Sequence, residues 1–464
     1  MNAMWLGDRL GVGDATMYWI GRRMPTDQFA VYSFDAPLSS AAVRARVAER
    51  ISIDSDLRVR LWDVPGDLDY PYWVPREFGD DQIEIHRETA YHAVLARLAV
   101  LVSESLDLHV SPWRLHVFPT VTDLPKVPGP TRPGINGLVV LQVSHALRDG
   151  RGVSALARVL LDPSARVAEK AVDSSPVLDS VPAGVRAGVA AIRATSLGAV
   201  RWAGAMVAER TGGGSEPHPT TDSPATPGDP IPETPAIPQA PAPRPSGFAP
   251  TSLNVDPGAG RRLRIIPADH DRLRRFGPTV TVGALVVIGE ALRDLLLERG
   301  DRIEQVAAEV TVAVEAADPA ARNRYRNVGI DLRLERPLEE RAAPIAADLL
   351  AARTARPASA TPAEVPPAWQ RAREVREFPL HMRPDRMTGN TVISSVDRGP
   401  ADLDISGSRA FRSVGFPALS PAMALTHGVY GLGSSVTIGI CAGDAAIDEP
   451  TLDRYADAIR ALLD

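Results

Sequence analysis

The sequence predicts a mixed α/β protein built as two similar halves, and three observations carry that prediction. The chain has 464 residues, more than one hydrophobic core usually serves, so two domains are expected. Residues 211–250 hold 12 prolines in 40 positions and almost no large apolar side chain. Such a stretch cannot bury enough surface to offset its ordering entropy, and reads as an extended linker. On either side of it, strand-like and helix-like patterns alternate along the chain. The expected organisation is an N-terminal domain over 1–210, a disordered Pro-rich linker over 211–250 and a C-terminal domain over 251–464.

Each element has its own justification. Residues 90–105 place Val94, Leu95, Leu98, Leu101 and Val102 at helical spacing, and 113–118 alternate as a strand does. Residues 137–143 are an apolar run that reads as a buried strand, followed by a helical pattern over 151–161. Residues 183–209 form a run of small apolar residues interrupted by Arg186, Arg193 and Arg201 on one helical arc. That helix is either a basic face docking peripherally on an anionic membrane or lipid-droplet surface, or an ordinary surface helix packed on its own domain. In the second half, 280–297 read as a buried helix and 306–314 and 436–442 as strands. The Pro/Ala-rich residues 356–367 read as a loop between helices. The last helix opens near Pro450, a favoured first-turn residue, with Leu452, Tyr455, Ala456, Ile459, Leu462 and Leu463 on one face.

Composition narrows the function. A net charge of −6 argues against nucleic acid as the main partner. Lysine occurs only at Lys126 and Lys170, so almost all positive charge is arginine, a skew that suggests a GC-rich genome. Cys441 is the single cysteine, which excludes an intrachain disulfide and a thiolate metal cluster. The N-terminus lacks a basic region followed by an apolar core, and no run of about 18 apolar residues occurs. The expected location is the cytoplasm. The hydrophobic strand around Cys441 places that thiol in the core. No hydrolase elbow or Walker-type phosphate loop occurs, and no ligand cluster for a metal is visible, so no metal and no cofactor are expected.

The most informative segment is Ser144-His145-Ala146-Leu147-Arg148-Asp149-Gly150. It lies where the buried strand ends and a helix begins, so rigid backbone can hold His145 facing a cleft. Asp149 can fold back and pin the loop by pairing with an arginine; Arg148 and Arg151 are its neighbours, and the sequence does not name the partner. Gly150 allows backbone angles that a side chain would forbid. This is the H-x-x-x-D-G signature of acyltransferases that use one histidine as a general base, a weak pattern by itself. His427, in Thr426-His427-Gly428, reads as a loop histidine that either lines the same site or has no role.

Other segments line up with the motif. Asp14-Ala-Thr-Met-Tyr-Trp19, Arg58-Val-Arg-Leu61, Val64-Pro-Gly66, Pro71-Tyr-Trp-Val74 and Ser111-Pro-Trp-Arg-Leu-His116 come first. Leu253-Asn254, Arg261-Arg262, Asn327-Val328, Asp331-Leu332, Ser394-Ser395-Val396 and Gly399-Pro400 follow. In this collinear order the chain resembles the bacterial wax ester synthase/diacylglycerol acyltransferase family over nearly its whole length apart from the linker. The resemblance implies two chloramphenicol acetyltransferase-like domains with an interdomain substrate tunnel, acyl-CoA entering from one side and the hydroxyl acceptor from the other. It implies His145 as the base, with Asp149 and Gly150 fixing its loop.

The departures bear on the acceptor. The family's first motif histidine is Ser144 here. Its Asn-Asp pair at a helix start is Thr281 and Val282, and the asparagine of its S-N-V turn is Ser395, followed by Asp397 and Arg398. Ser144, Thr281, Ser394 and Ser395 are therefore the expected substrate-binding positions, with Thr281 and Ser395 as candidate oxyanion donors. The expected reaction is direct transfer of a long-chain acyl group from acyl-CoA, as substrate, to an alcohol, diacylglycerol or other lipid hydroxyl. The alternatives are a glycolipid, polyketide or sugar hydroxyl as acceptor on the same fold, and a non-catalytic homologue that binds acyl chains or lipid.

Overall fold

The computed structural model describes residues 7–125, 134–162, 247–314, 321–355, 365–380 and 383–464. The helix expected over 183–209 and the linker over 211–246 lie outside the described residues. In chain order the first half runs β1 (Asp8–Arg9), α1 (Val12–Gly21), β2 (Gln28–Phe34), α2 (Ser40–Arg50), β3 (Val59–Trp62), β4 (Tyr72–Pro75), β5 (Ile83–Ile85), α3 (Tyr91–Leu101), β6 (Trp113–Thr122), β7 (Ile135–Val143) and α4 (Gly150–Leu161). The second half begins β8 (Arg261–Asp269), α5 (His270–Arg274), α6 (Val280–Glu298), β9 (Ala307–Ala313), β10 (Tyr325–Asp331), α7 (Ala342–Thr354) and α8 (Ala368–Glu377). It ends β11 (Thr391–Asp397), β12 (Asp404–Ile405), β13 (Ser408–Val414), β14 (Leu425–Leu432), β15 (Ser435–Gly443) and α9 (Glu449–Leu463).

Two six-stranded sheets carry the fold, ordered β12-β13-β2-β7-β6-β5 and β10-β9-β11-β14-β15-β8, with a small sheet β1-β4-β3 beside the first. β7 is central in its sheet and pairs antiparallel with both β2 and β6. Its apolar run is buried from Asn136 onward because neighbours cover both faces. Each half has its own core. Trp73, Trp113, Leu141 and Leu156 belong to the first, and Ile266, Leu285, Ile438 and Leu452 to the second. A third cluster bridges them. Val94 and Leu98 of α3 and Phe118 and Val140 of the first sheet pack with Leu263, Ile265 and Cys441 of the second.

The helices at 90–105, 151–161 and 280–297 and the strands at 113–118, 137–143, 306–314 and 436–442 all fall on observed elements. Asp448 caps α9, whose buried face carries Leu452, Tyr455, Ala456, Ile459 and Leu463. Three expectations change. Residues 247–250 are ordered: Phe248 exchanges two backbone hydrogen bonds with Met387 at 2.8 Å. Residues 404–414 do not stay with the second half. β13 pairs antiparallel with β2, so the first sheet is completed by strands from beyond the linker. And 426–428, whose sequence reads as a loop around His427, lie within strand β14, paired on both sides.

The crossing of β13 over the second sheet depends on glycine. A Cβ on Gly439 would lie 2.3 Å from the Gly415 carbonyl oxygen, and one on Gly428 would lie 2.9 Å from it. Only bare backbone fits there. Arg398, following β11, reinforces the same junction. It donates to Ser413 Oγ at 2.6 Å, and to the carbonyls of Val414 and Phe29. Its guanidinium lies 4.2 Å from the Tyr430 ring centre and 5.4 Å from that of Tyr32. The side chain thus ties strands of both sheets with its charge spread over two aromatic faces.

Candidate functional site

His145 follows the end of β7, and the residues that hold it come from the opposite half. Its Nδ1 lies 2.9 Å from Asn323 Oδ1. The Asn323 amide nitrogen donates to Asp14 Oδ1 and to the His145 carbonyl, both at 2.8 Å. With both of those partners accepting, the amide oxygen is the atom that faces the ring. Nδ1 therefore carries the proton and donates to it, and Nε2 keeps a free lone pair. The Tyr325 hydroxyl stands 3.4 Å from that lone pair. Burial lowers the His145 pKa below its ordinary 6.5, outweighing the opposing pull of Asn323, Asp149 and Asp14. The ring is neutral at pH 7, in the tautomer a general base needs.

Asp14 is the foundation of this arrangement. It lies on α1 with no exposed surface, and its two oxygens accept the backbone N–H groups of Arg322 and Asn323 at 3.0 and 3.1 Å. Burial raises its pKa, and those hydrogen bonds work against the rise. Arg322 in turn donates to Asp56, which also receives Arg148 at 2.7 Å. Burial alone would raise the Asp56 pKa, but the two arginines hold it below the usual carboxylate range. Arg148 reaches Asp54 as well, at 3.0 Å. A lattice of carboxylates and arginines thus pins residues 322–325 against the motif loop.

Asp149 differs from expectation. Its side chain caps α4 by accepting the Gly152 N–H at 2.9 Å, and its other oxygen accepts the Arg324 N–H at 3.1 Å. The partner is backbone, because the first turn of α4 has free N–H groups to satisfy. The arginine of the motif, Arg148, goes to Asp54 and Asp56 instead. Gly150 is corrected too. Its φ is not positive. A Cβ there would make only ordinary contacts, 3.4 Å from Gln28 Oε1 and 3.5 Å from Val396 Cγ2, so neither backbone angle nor packing requires the glycine.

Ser144 is buried, accepts the Ala146 N–H at 3.2 Å and lines a cleft of about 480 Å³ with Met17, Tyr18, Arg22, Asp27 and His109. Met17 links this cleft to the site, with its sulfur 4.0 Å from the Tyr325 hydroxyl. Thr281 and Ser395 meet each other, their hydroxyl oxygens 3.0 Å apart. Ser394 lies on β11 opposite Gly428 of β14, near the buried Tyr430 phenol, whose pKa it helps to lower against the rise from burial. These three are brought to the β11 side of the junction, and no described hydrogen bond joins them to His145. His427 is core: fully buried, it bonds Thr391 Oγ1 at 3.2 Å and the Tyr455 hydroxyl at 2.8 Å, and burial drives its pKa down to about 3. Cys441 is buried as expected, its thiol pushed up to about 12.

No family model matches the sequence, and no curated protein matches it significantly. Solved structures do. A wax ester synthase/diacylglycerol acyltransferase from Marinobacter aquaeolei VT8 superposes with a TM-score of 0.59 at 16% identity, covering 98% of both chains. The chain shares its fold. A variant of the starter condensation domain of rhizomide synthetase, in complex with C8-CoA and Leu-SNAC, matches at TM-score 0.54 and 13% identity over 99% of this chain and 94% of that one. A second variant with C8-CoA matches at 0.52 and 14% identity, over 98% of this chain and 94% of that one. The two-domain α/β architecture expected from the sequence is the one observed, and no helix among the described residues is long and apolar enough to cross a membrane.

Asn323 and Tyr325 escaped sequence reading. Their signal was slight: two hydrogen-bonding residues alternating with arginines at the mouth of β10. Also unread was a set of three potential metal ligands, Glu84, His86 and His116, which the fold of β5 against β6 brings together.

Proposed function

We propose that the chain is an acyl-CoA-dependent O-acyltransferase with His145 as general base. The observation that carries this is the His145–Asn323–Asp14 chain. It fixes Nδ1–H and aims the Nε2 lone pair at a hydroxyl, that of Tyr325, at the junction of the two halves. The acceptor alcohol takes the place of the Tyr325 hydroxyl at Nε2. Nε2 removes its proton as the alcohol oxygen attacks the thioester carbonyl. The tetrahedral intermediate collapses to ester, and the departing CoA thiolate takes the proton back from the imidazolium. Burial raises the Tyr325 pKa to about 12, so its phenol stays protonated and is the donor nearest the base for the transient oxyanion. A base so placed contributes about 10²–10⁴-fold.

The fold shared with a wax ester synthase and with acyl-CoA-bound condensation domains supports an acyl-CoA donor, with long-chain acyl groups and lipid hydroxyls as the first substrates to try. One observation favours a different acceptor, such as a glycolipid, polyketide or sugar hydroxyl. Thr281 and Ser395 bond one another where the resemblance implies asparagine, which reshapes that wall. The test is acyl transfer by the purified chain from a long-chain acyl-CoA to a panel of alcohols, diacylglycerol and glycolipids, beside His145→Ala. Acceptor-dependent CoA release that drops at least about 100-fold in the folded variant is expected. Equal rates in the two proteins would remove His145 from the chemistry, and an inert pair that still binds acyl-CoA would make the chain a lipid-binding protein.

A further inference from the structure

We propose that Glu84, His86 and His116 form a divalent transition-metal site, with zinc as the best-suited ion. β5 and β6 run parallel with Glu84 opposite His116, and His86 lies two residues beyond Glu84, so all three side chains leave the same face. The ligand atoms lie within 4.8 Å of one another. His86 Nε2 is 3.0 Å from His116 Nδ1, His116 Nδ1 is 3.4 Å from Glu84 Oε2, and His86 Nε2 is 3.8 Å from Glu84 Oε1. Tetrahedral zinc with bonds of about 2.0–2.1 Å separates its ligand atoms by about 3.3 Å. The set is already near that spacing.

The hydrogen-bond accounting around His116 leaves Nδ1 as the atom available to a metal. Asp27 Oδ2 accepts the Gln142 amide nitrogen at 2.8 Å and the Leu106 N–H at 2.8 Å. Gln142 must then present its oxygen to His116 Nε2, 3.0 Å away, so Nε2 carries the proton. Nδ1 is then an acceptor, met by the His86 Nε2–H at 3.0 Å and lying 3.4 Å from a carboxylate oxygen of the part-exposed Glu84. A metal ion satisfies all three ligands at once. The Asp27–Gln142–His116 chain is the outer support that metal-binding histidines ordinarily have.

The side chains of His86 and His116 are 2% and 0% exposed, while Glu84 is 39% exposed and gives the ion an entry path and a position for solvent. Arg114, 3.7 Å from Glu84 Oε2, is the nearest competing cation. Nitrogen donors with one carboxylate favour zinc and its neighbours over magnesium or calcium. Bound there, the ion would clip the three-residue edge strand β5 to β6.

The test loads the full-length chain with Zn²⁺, removes excess by gel filtration and counts zinc per chain by mass spectrometry, with affinity from chelator competition. One zinc per chain is expected, with a raised melting temperature. Glu84→Gln should weaken affinity about tenfold or more, and His86→Ala should lose stoichiometric retention, both with unchanged circular dichroism. Exposed His92→Ala should bind as the parent does. Absence of retained zinc in the parent overturns the proposal, as does retention unchanged in Glu84→Gln and His86→Ala.

Discussion

The Asn323 carboxamide orients His145 without offering it a charge. A carboxylate in that place would stabilise the imidazolium, whereas an amide fixes the tautomer and leaves the pKa depressed by burial. In the proposed reaction the free imidazole is therefore mainly neutral above pH 6.5, and the acidic limb of kcat/KM should have its midpoint below that value. Asn323→Asp should move this limb to higher pH, because a negative charge beside Nδ1 favours protonation. Asn323→Ala should lower kcat about tenfold or more with little change in KM, since it loosens the base and touches no substrate. A pH profile identical in Asn323→Asp and the parent would count against the contact. At this scale the sequence was legible where residues are adjacent, as in the motif around His145. It was silent where they are not: Asn323 lies 178 positions from His145, and Glu84 meets His116 only because β5 pairs with β6.

The strand–loop–helix unit β7–α4 is held from both ends. Asp149 caps α4 and at the same time takes the Arg324 N–H from across the junction. Asp149→Ala removes both, and an N-cap alone is worth about 1–2 kcal/mol. We expect a loss of that size in denaturant unfolding, with a fall in acyl transfer as the 322–325 segment loosens. Unchanged stability would show that α4 does not depend on this side chain. Elements with a plain apolar rhythm, such as α6, α9 and β7, were readable from sequence. β14 was not, because Gly428, Gly431 and His427 break its alternation. The structure supplies the reason: Gly428 makes room for the Gly415 carbonyl, and His427 finds both its partners inside the core.

For the whole molecule, the two halves were legible from composition, yet their interlocking was not, since strand partners hundreds of residues apart leave no local mark. Arg398 is the polar centre of that interlocking, 4% exposed and bonded to three acceptors of the first sheet. Arg398→Ala strands those acceptors and opens a cavity, and should cost about 3 kcal/mol or more. Calorimetry checks this, and a parent-like melting profile in the variant would be the contrary result. The passage of β13 into the first sheet also sets a timetable for synthesis. Ser408 and its contact Ala36 are 372 positions apart. On a ribosome adding about 5–20 residues per second, β2 waits roughly 20–75 s for its outer neighbour. Through that interval the nascent chain exposes an unpaired sheet edge, the feature most prone to pairing with a stranger. The protein's yield in a foreign host should therefore depend on chaperones that shield emerging chains more than on the stability of the finished fold.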